Sequence, residues 1–194
     1  QVQFYNGGNA GVQEGQATTT GYMLFKRFNR SISKTSPGVA SQNRPSIIFR
    51  LADFYLIYAE VANEVNPSDS RVLTYLNLVR ERAGLPKVEI LNPGIIGNKE
   101  LQRAAIQRER QIELATEGQR YFDVRRWMIA DKDGEGRQNG YAHGRNVRGT
   151  INDTEEFNRV VETEKIVFNR KMYLQPIPDH EMRKTQNLVQ NPGW

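Results

Sequence analysis

From Ile47 to Val65 no proline or glycine interrupts the chain, and Leu51, Phe54, Tyr55, Tyr58, Val61, Ala62 and Val65 return at spacings of three and four. That period predicts an amphipathic helix. Pro67 biases Asn66 away from helix, and Ser68 or Asp69 can cap a second helix. Val72, Leu76, Val79 and Ala83 then repeat the period until Gly84 offers a left-handed residue and Pro86 blocks continuation. Residues 46–86 are therefore expected to form a helical hairpin. From Leu51 to Gly84 it has the roughly 34-residue length of a tetratricopeptide repeat, a unit that cannot bury its apolar face without neighbours. One copy is visible, so this hairpin must stack on something else.

A third helix is expected from an Asn98 cap, with Leu101, Ala105, Ile112 and Ala115 on one face and an end at Glu117-Gly118. Arg108 falls inside that stripe. It must snorkel or find a partner, either a glutamate on the adjoining turn or Asp123 across the bend. A fourth helix, from about Arg120 to Ala130, carries Tyr121, Phe122, Val124, Trp127, Met128 and Ile129 nearly all round, which predicts enclosure. Before the hairpin, residues 1–45 read as loop-rich, with Tyr22, Leu24 and Phe25 marking the start of a short strand. Residues 131–172 read as a long loop, and in 173–194 Pro176 and Pro178 fix an extended entry, Asp179 is an N-cap and Asn191-Pro192-Gly193 a turn. Length and composition predict one mainly α domain, helical hairpin plus further helices with long irregular loops.

Charge and residue usage exclude several functions. The 27 basic and 22 acidic residues give +5, but the signs are interspersed, so nucleic acid is not expected as a partner. The absence of cysteine removes disulfides, thiolate metal sites and cysteine nucleophiles together. No run approaches the apolar length of a membrane span. The opening QVQFYNGGNAG lacks an initiator methionine and a leader pattern, which points to an internal position of a longer product.

Glu109 and Glu113 stand four apart on one helix face, a spacing at which two carboxylates can share acid and base roles. Arg108, Arg110, Arg120, Arg125 and Arg126 crowd them, and arginines depress a carboxylate pKa where a general acid needs it raised. Ion pairing and helix packing are the expected use of the stretch. In DKDGEG, Asp131, Asp133 and Glu135 match the first half of a calcium loop, but Ala142 stands where the closing acid belongs. A solvated turn is expected, with calcium as a weak alternative and otherwise no cofactor. His143 and His180 have no metal-hydrolase spacing, and neither a nucleophile elbow nor a phosphate loop is present. Tyr5, Tyr141, His143 and Arg145 are picked as ligand-contacting candidates because loop aromatics and planar hydrogen-bonding groups suit sugars or bases.

RLADFYLIYAEVANEV, YLNLVRERAGL, RERQIELATEGQRYFDVRRW, YLQPIPDHEM and the closing QNPGW resemble, in this order, the C-terminal part of the SusD/RagB family. Within the third, Glu113, Glu117, Gly118, Arg120, Phe122, Asp123, Arg125, Arg126 and Trp127 match the family signature, and Arg108 joins them as a structural residue. The resemblance implies a tetratricopeptide-like α-α superhelix, incomplete here, that binds oligosaccharide or another nutrient without catalysis. It also implies an outer-membrane, cell-surface lipoprotein of Bacteroidetes that passes ligand to a SusC-like TonB-dependent transporter. The family's N-terminal half, which carries most repeats and the lipidated cysteine, is the expected stacking partner. A helical-repeat adaptor for another protein is the alternative.

Overall fold

The computed structural model describes residues 22, 24, 26, 47–132, 140–146 and 159–194. These fall into two compact units, one within Asn43–Arg126 and the other built mainly from Trp127–Trp194.

The first unit is helical. Helices α1 (Leu51–Val65) and α2 (Arg71–Arg82) form the expected hairpin. A short α3 (Val88–Leu91) and a 3-10 turn at Pro93–Ile95 lead to α4 (Lys99–Glu113) and α5 (Gln119–Arg126). The stop signals act as the sequence predicts. Gly84 takes φ +77°, and the Leu85 amide donates to the Arg80 carbonyl at 2.9 Å, which closes α2 in a Schellman turn. The N-cap of α2 is Ser70 and not the expected Ser68 or Asp69, although Asp69 accepts from the Arg71 amide; Asn98 accepts from the Leu101 amide at 3.1 Å to cap α4.

The buried side of α1 differs from the expected one. Ala52, Leu56, Ala59 and Asn63 face inward, while Leu51, Phe54, Tyr58, Val61 and Val65 remain exposed and Tyr55 and Ala62 are half-buried. The core joins Leu56, Ala52 and Ala59 to Val72, Leu76 and Val79 of α2 and Ile106 of α4. Small alanines let the helix axes approach, and α1 is apolar on both sides, so side-chain size misidentifies the inner face. The same offset occurs in α4, where Gln102, Ile106, Glu109 and Arg110 are buried and Leu101 and Ile112 are exposed.

The two helices flanking the α4–α5 corner are also shorter than expected. Helix α4 stops at Glu113, because Thr116 takes φ +67° and Gly118 φ +86°. Helix α5 stops at Arg126, before Met128 at φ +54°, and Tyr121, Phe122 and Met128 are exposed instead of enclosed. Val124 alone among the expected apolar residues of α5 is fully buried.

The second unit holds an antiparallel pair, β1 (Gly140–Arg145) and β2 (Val160–Ile166), in a stretch that reads as loop by sequence. Gly140, Gly144 and charged positions hide the period-two pattern, and a register shift between Ala142 and His143 breaks it again. Tyr22 and Leu24 are not in a strand. In the tail, Gln190 accepts from the Ile177 amide at 2.8 Å and donates to the Ile177 carbonyl at 2.9 Å, so one side chain supplies both bonds of a missing strand neighbour. The Trp194 indole N–H donates to the Lys171 and Leu174 carbonyls, and the Lys171 ammonium lies 4.2 Å from its ring. Helix α6 (Asp179–Met182) begins with Asp179 as its first residue, with Pro178 instead at the cap position.

Candidate functional site

The signature residues assemble around one buried arginine. Arg110, 3% exposed, donates from Nη1 to Asp53 Oδ1 and from Nε to Asp123 Oδ2, each at 2.9 Å. It thereby ties α4 to α1 and α5. Arg126 Nε donates to the other Asp123 oxygen at 2.9 Å, and its Nη2 reaches Glu60 on α1 at 2.7 Å. At the other end of the corner, Arg50 donates to both oxygens of Glu117 and to the Glu113 carbonyl. Its guanidinium is held above the usual arginine pKa, chiefly by the Glu117 hydrogen bonds against an opposing cost of burial.

Each carboxylate of the stretch is thus matched to a guanidinium. Glu113 is paired with Arg50 and Arg82, and Glu109 with Arg80 at 2.8 Å. These contacts engage Glu113, Glu117, Asp123 and Arg126, and Gly118 takes φ +86° at the bend. Arg120 and Trp127 are half-buried, Phe122 is exposed, and Arg125 stacks 3.4 Å above the Tyr121 ring. Of the two courses open to Arg108, snorkelling or pairing with a nearby acid, the structure shows the first: Arg108 is exposed and makes no hydrogen bond or ion pair to a described residue. Arg110 takes the Asp123 position because the inward face of α4 is the 102/106/109/110 stripe. Sequence reasoning missed Asp53, Glu60 and Arg50; the signal for Asp53 was an acid inside an apolar run, the counterpart of an arginine in α4.

The ligand candidates are divided. Tyr141, His143 and Arg145 all lie on β1, opposite Lys165, Glu162 and Val160. His143 is exposed and Arg145 half-buried. Tyr5 lies outside the described residues, as do Asp133 and Glu135. Asp131 is engaged elsewhere: its Oδ1 accepts from the Tyr173 hydroxyl at 2.6 Å. That bond holds the Asp131 carboxyl below its usual range, while burial pushes the Tyr173 phenol up. Among the described residues no three His, Asp or Glu side chains are grouped to hold a metal.

The model of the SusD family matches residues 1–194. The chain belongs to the SusD family.

SusD-like protein P25 of Formosa agariphila is 44% identical over 106 residues, covering 55% of this chain and 19% of its own. SusD-like protein P2 of the same organism is 32% identical over 153 residues, or 76% of this chain and 26% of its own. A solved SusD-like protein from Bacteroides fragilis superposes with a TM-score of 0.67 at 28% identity, covering 92% of this chain and 31% of its own. The mainly helical SusD-like fold is therefore shared. This chain spans about a quarter or less of the length of the curated relatives it matches.

Proposed function

We propose that this SusD-family chain serves the capture of oligosaccharide or a related nutrient at the outer face of a bacterial outer membrane. The ligand passes to a SusC-like TonB-dependent transporter, and the chain performs no catalysis. The observation that carries this reading is the SusD-family match across residues 1–194. The commitment of Glu109 and Glu113 to arginines supports binding over acid–base chemistry. Among the described residues, no helix is long and apolar enough to cross a membrane.

The test is titration of the chain with a panel of soluble glycans, with Tyr141→Ala and His143→Ala as variants. Saturable binding of one glycan class, weakened at least about tenfold by a variant, supports the reading. A panel without any saturable ligand sinks it. Delivery is tested separately, by recovery of a TonB-dependent transporter with the tagged protein from outer membranes.

A second reading, a helical adaptor, is favoured by the outward stripe of α1. Leu51, Phe54, Tyr58, Val61 and Val65 alternate at three and four residues, the seam of a helix that packs on another helix. Under the first reading this seam is covered by the remainder of a SusD-like chain. Self-association of the 194-residue chain, abolished when the longer chain is expressed, supports that; binding of an unrelated helical protein by the longer chain favours the adaptor.

A further inference from the structure

We infer that the cleft between α4 and the connection preceding it is a second ligand site, for a small amphipathic carboxylate, with Arg108 as its anion-binding group. The cleft has a volume of about 520 Å³. That is within the range of small-molecule pockets. Val88, Leu91 and Ile95 line one side and Leu101, Ala105 and Ile112 the other.

Apart from Arg80, Asn92, Arg108 and Glu109 the lining is aliphatic, and it contains no aromatic ring, so it offers a sugar no stacking face. It suits a hydrocarbon body. Two of its charged members neutralise each other, since Arg80 holds Glu109 and also donates to the Pro86 carbonyl at 3.1 Å. Arg108 stands apart. It continues the Leu101, Ala105, Ile112 stripe into the cleft yet pairs with no described acid, whereas Arg103 and Arg110 on the same helix each hold carboxylates.

A guanidinium beside an apolar wall, open to solvent and without an acid partner, selects a ligand that is apolar at one end and anionic at the other. Its planar fork fits the two oxygens of a carboxylate. A neutral hydrocarbon leaves the charge unanswered, and a neutral oligosaccharide would bury hydroxyls against methyl groups. Charge and shape together therefore choose the occupant. The site is separate from the glycan reading, so either can fail alone.

The test is titration of the 194-residue chain with sodium octanoate below its micelle concentration, followed by calorimetry and by methyl NMR shifts of Leu101 and Ile112. Saturable octanoate binding is expected, with octanamide roughly tenfold weaker and Arg108→Gln losing a similar factor. Arg108→Lys should fall between, because it keeps the charge and loses the fork. Arg108 is exposed, so both variants should keep the wild-type melting temperature. Equal binding of octanoate and octanamide, an unchanged affinity in Arg108→Gln, or no saturable binding each overturns the assignment.

Discussion

The guanidinium of Arg110 and the carboxylate of Asp53, 57 positions apart in the chain, meet at 2.9 Å where both are shut away from solvent. Asp123 completes the set from α5, so three helices share one charge cluster. Removing one partner of such a pair leaves an unanswered buried charge, which costs about 3–5 kcal/mol. Asp53→Ala should therefore lower unfolding free energy by that amount in a urea titration. Combining it with Arg110→Met should cost much less than the sum of the two single changes, and simple additivity would remove the pair as an anchor.

The two apolar sides of α1 make opposite predictions. Leu56 is fully buried, so Leu56→Ala should destabilise the chain by about 2–5 kcal/mol. Phe54 is 53% exposed, and in the 194-residue chain Phe54→Ala should stay within about 0.5 kcal/mol of the parent. Thermal melts of both variants decide which stripe faces the core. A larger loss at Phe54 would reverse the assignment.

Glu64 responds to acid. Its carboxyl is pulled down to about 2 by the Arg103 hydrogen bond first, with Lys99 assisting against partial burial. A carboxylate with a lowered folded pKa stabilises fully above its unfolded value and loses that contribution as pH falls through the folded one. The window here runs from about 4.5 down to about 2. Because the pair is well exposed, the loss should stay below about 1 kcal/mol. An NMR titration of the Glu64 carboxyl carbon checks the midpoint, and a value near 4.5 would contradict the geometry.

At Gly193 a side chain has two obstacles. The residue takes φ +87°, and an added Cβ would lie 3.0 Å from Lys171 Cβ. Gly193→Ala should cost about 1–3 kcal/mol locally. Amide exchange should accelerate where the tail docks, at Leu174 and Trp194, and protection equal to the parent's would mean that the C-terminal turn does not depend on glycine.

What the sequence made legible was punctuation: Pro67, Gly84 and Asn98 placed helix boundaries because backbone geometry is local. The inward faces of α1 and α4 were not legible, since α1 is apolar on two sides and α4 buries Gln102, Glu109 and Arg110 beside Ile106 while its Leu101 and Ile112 stay exposed. The signature reads correctly as a braced corner, yet its central arginine is Arg110, where the apolar stripe points to Arg108. That choice depends on the same rotation of α4. The β1–β2 pair was hidden by glycines and a register shift, which erase alternation. The unpaired Arg108 shows the reverse case, where a residue marked as anomalous in sequence stayed anomalous in the fold.

The corner between α4 and α5 contains two left-handed residues, Thr116 and Gly118, within three positions. The direction in which the chain leaves α4 is thus written in backbone chirality as well as in charge. Concentrated salt would quiet the exposed guanidinium pairs around the corner while leaving the bend itself unaltered. Electrostatics would then govern how firmly the joint is locked, and stereochemistry which way it points.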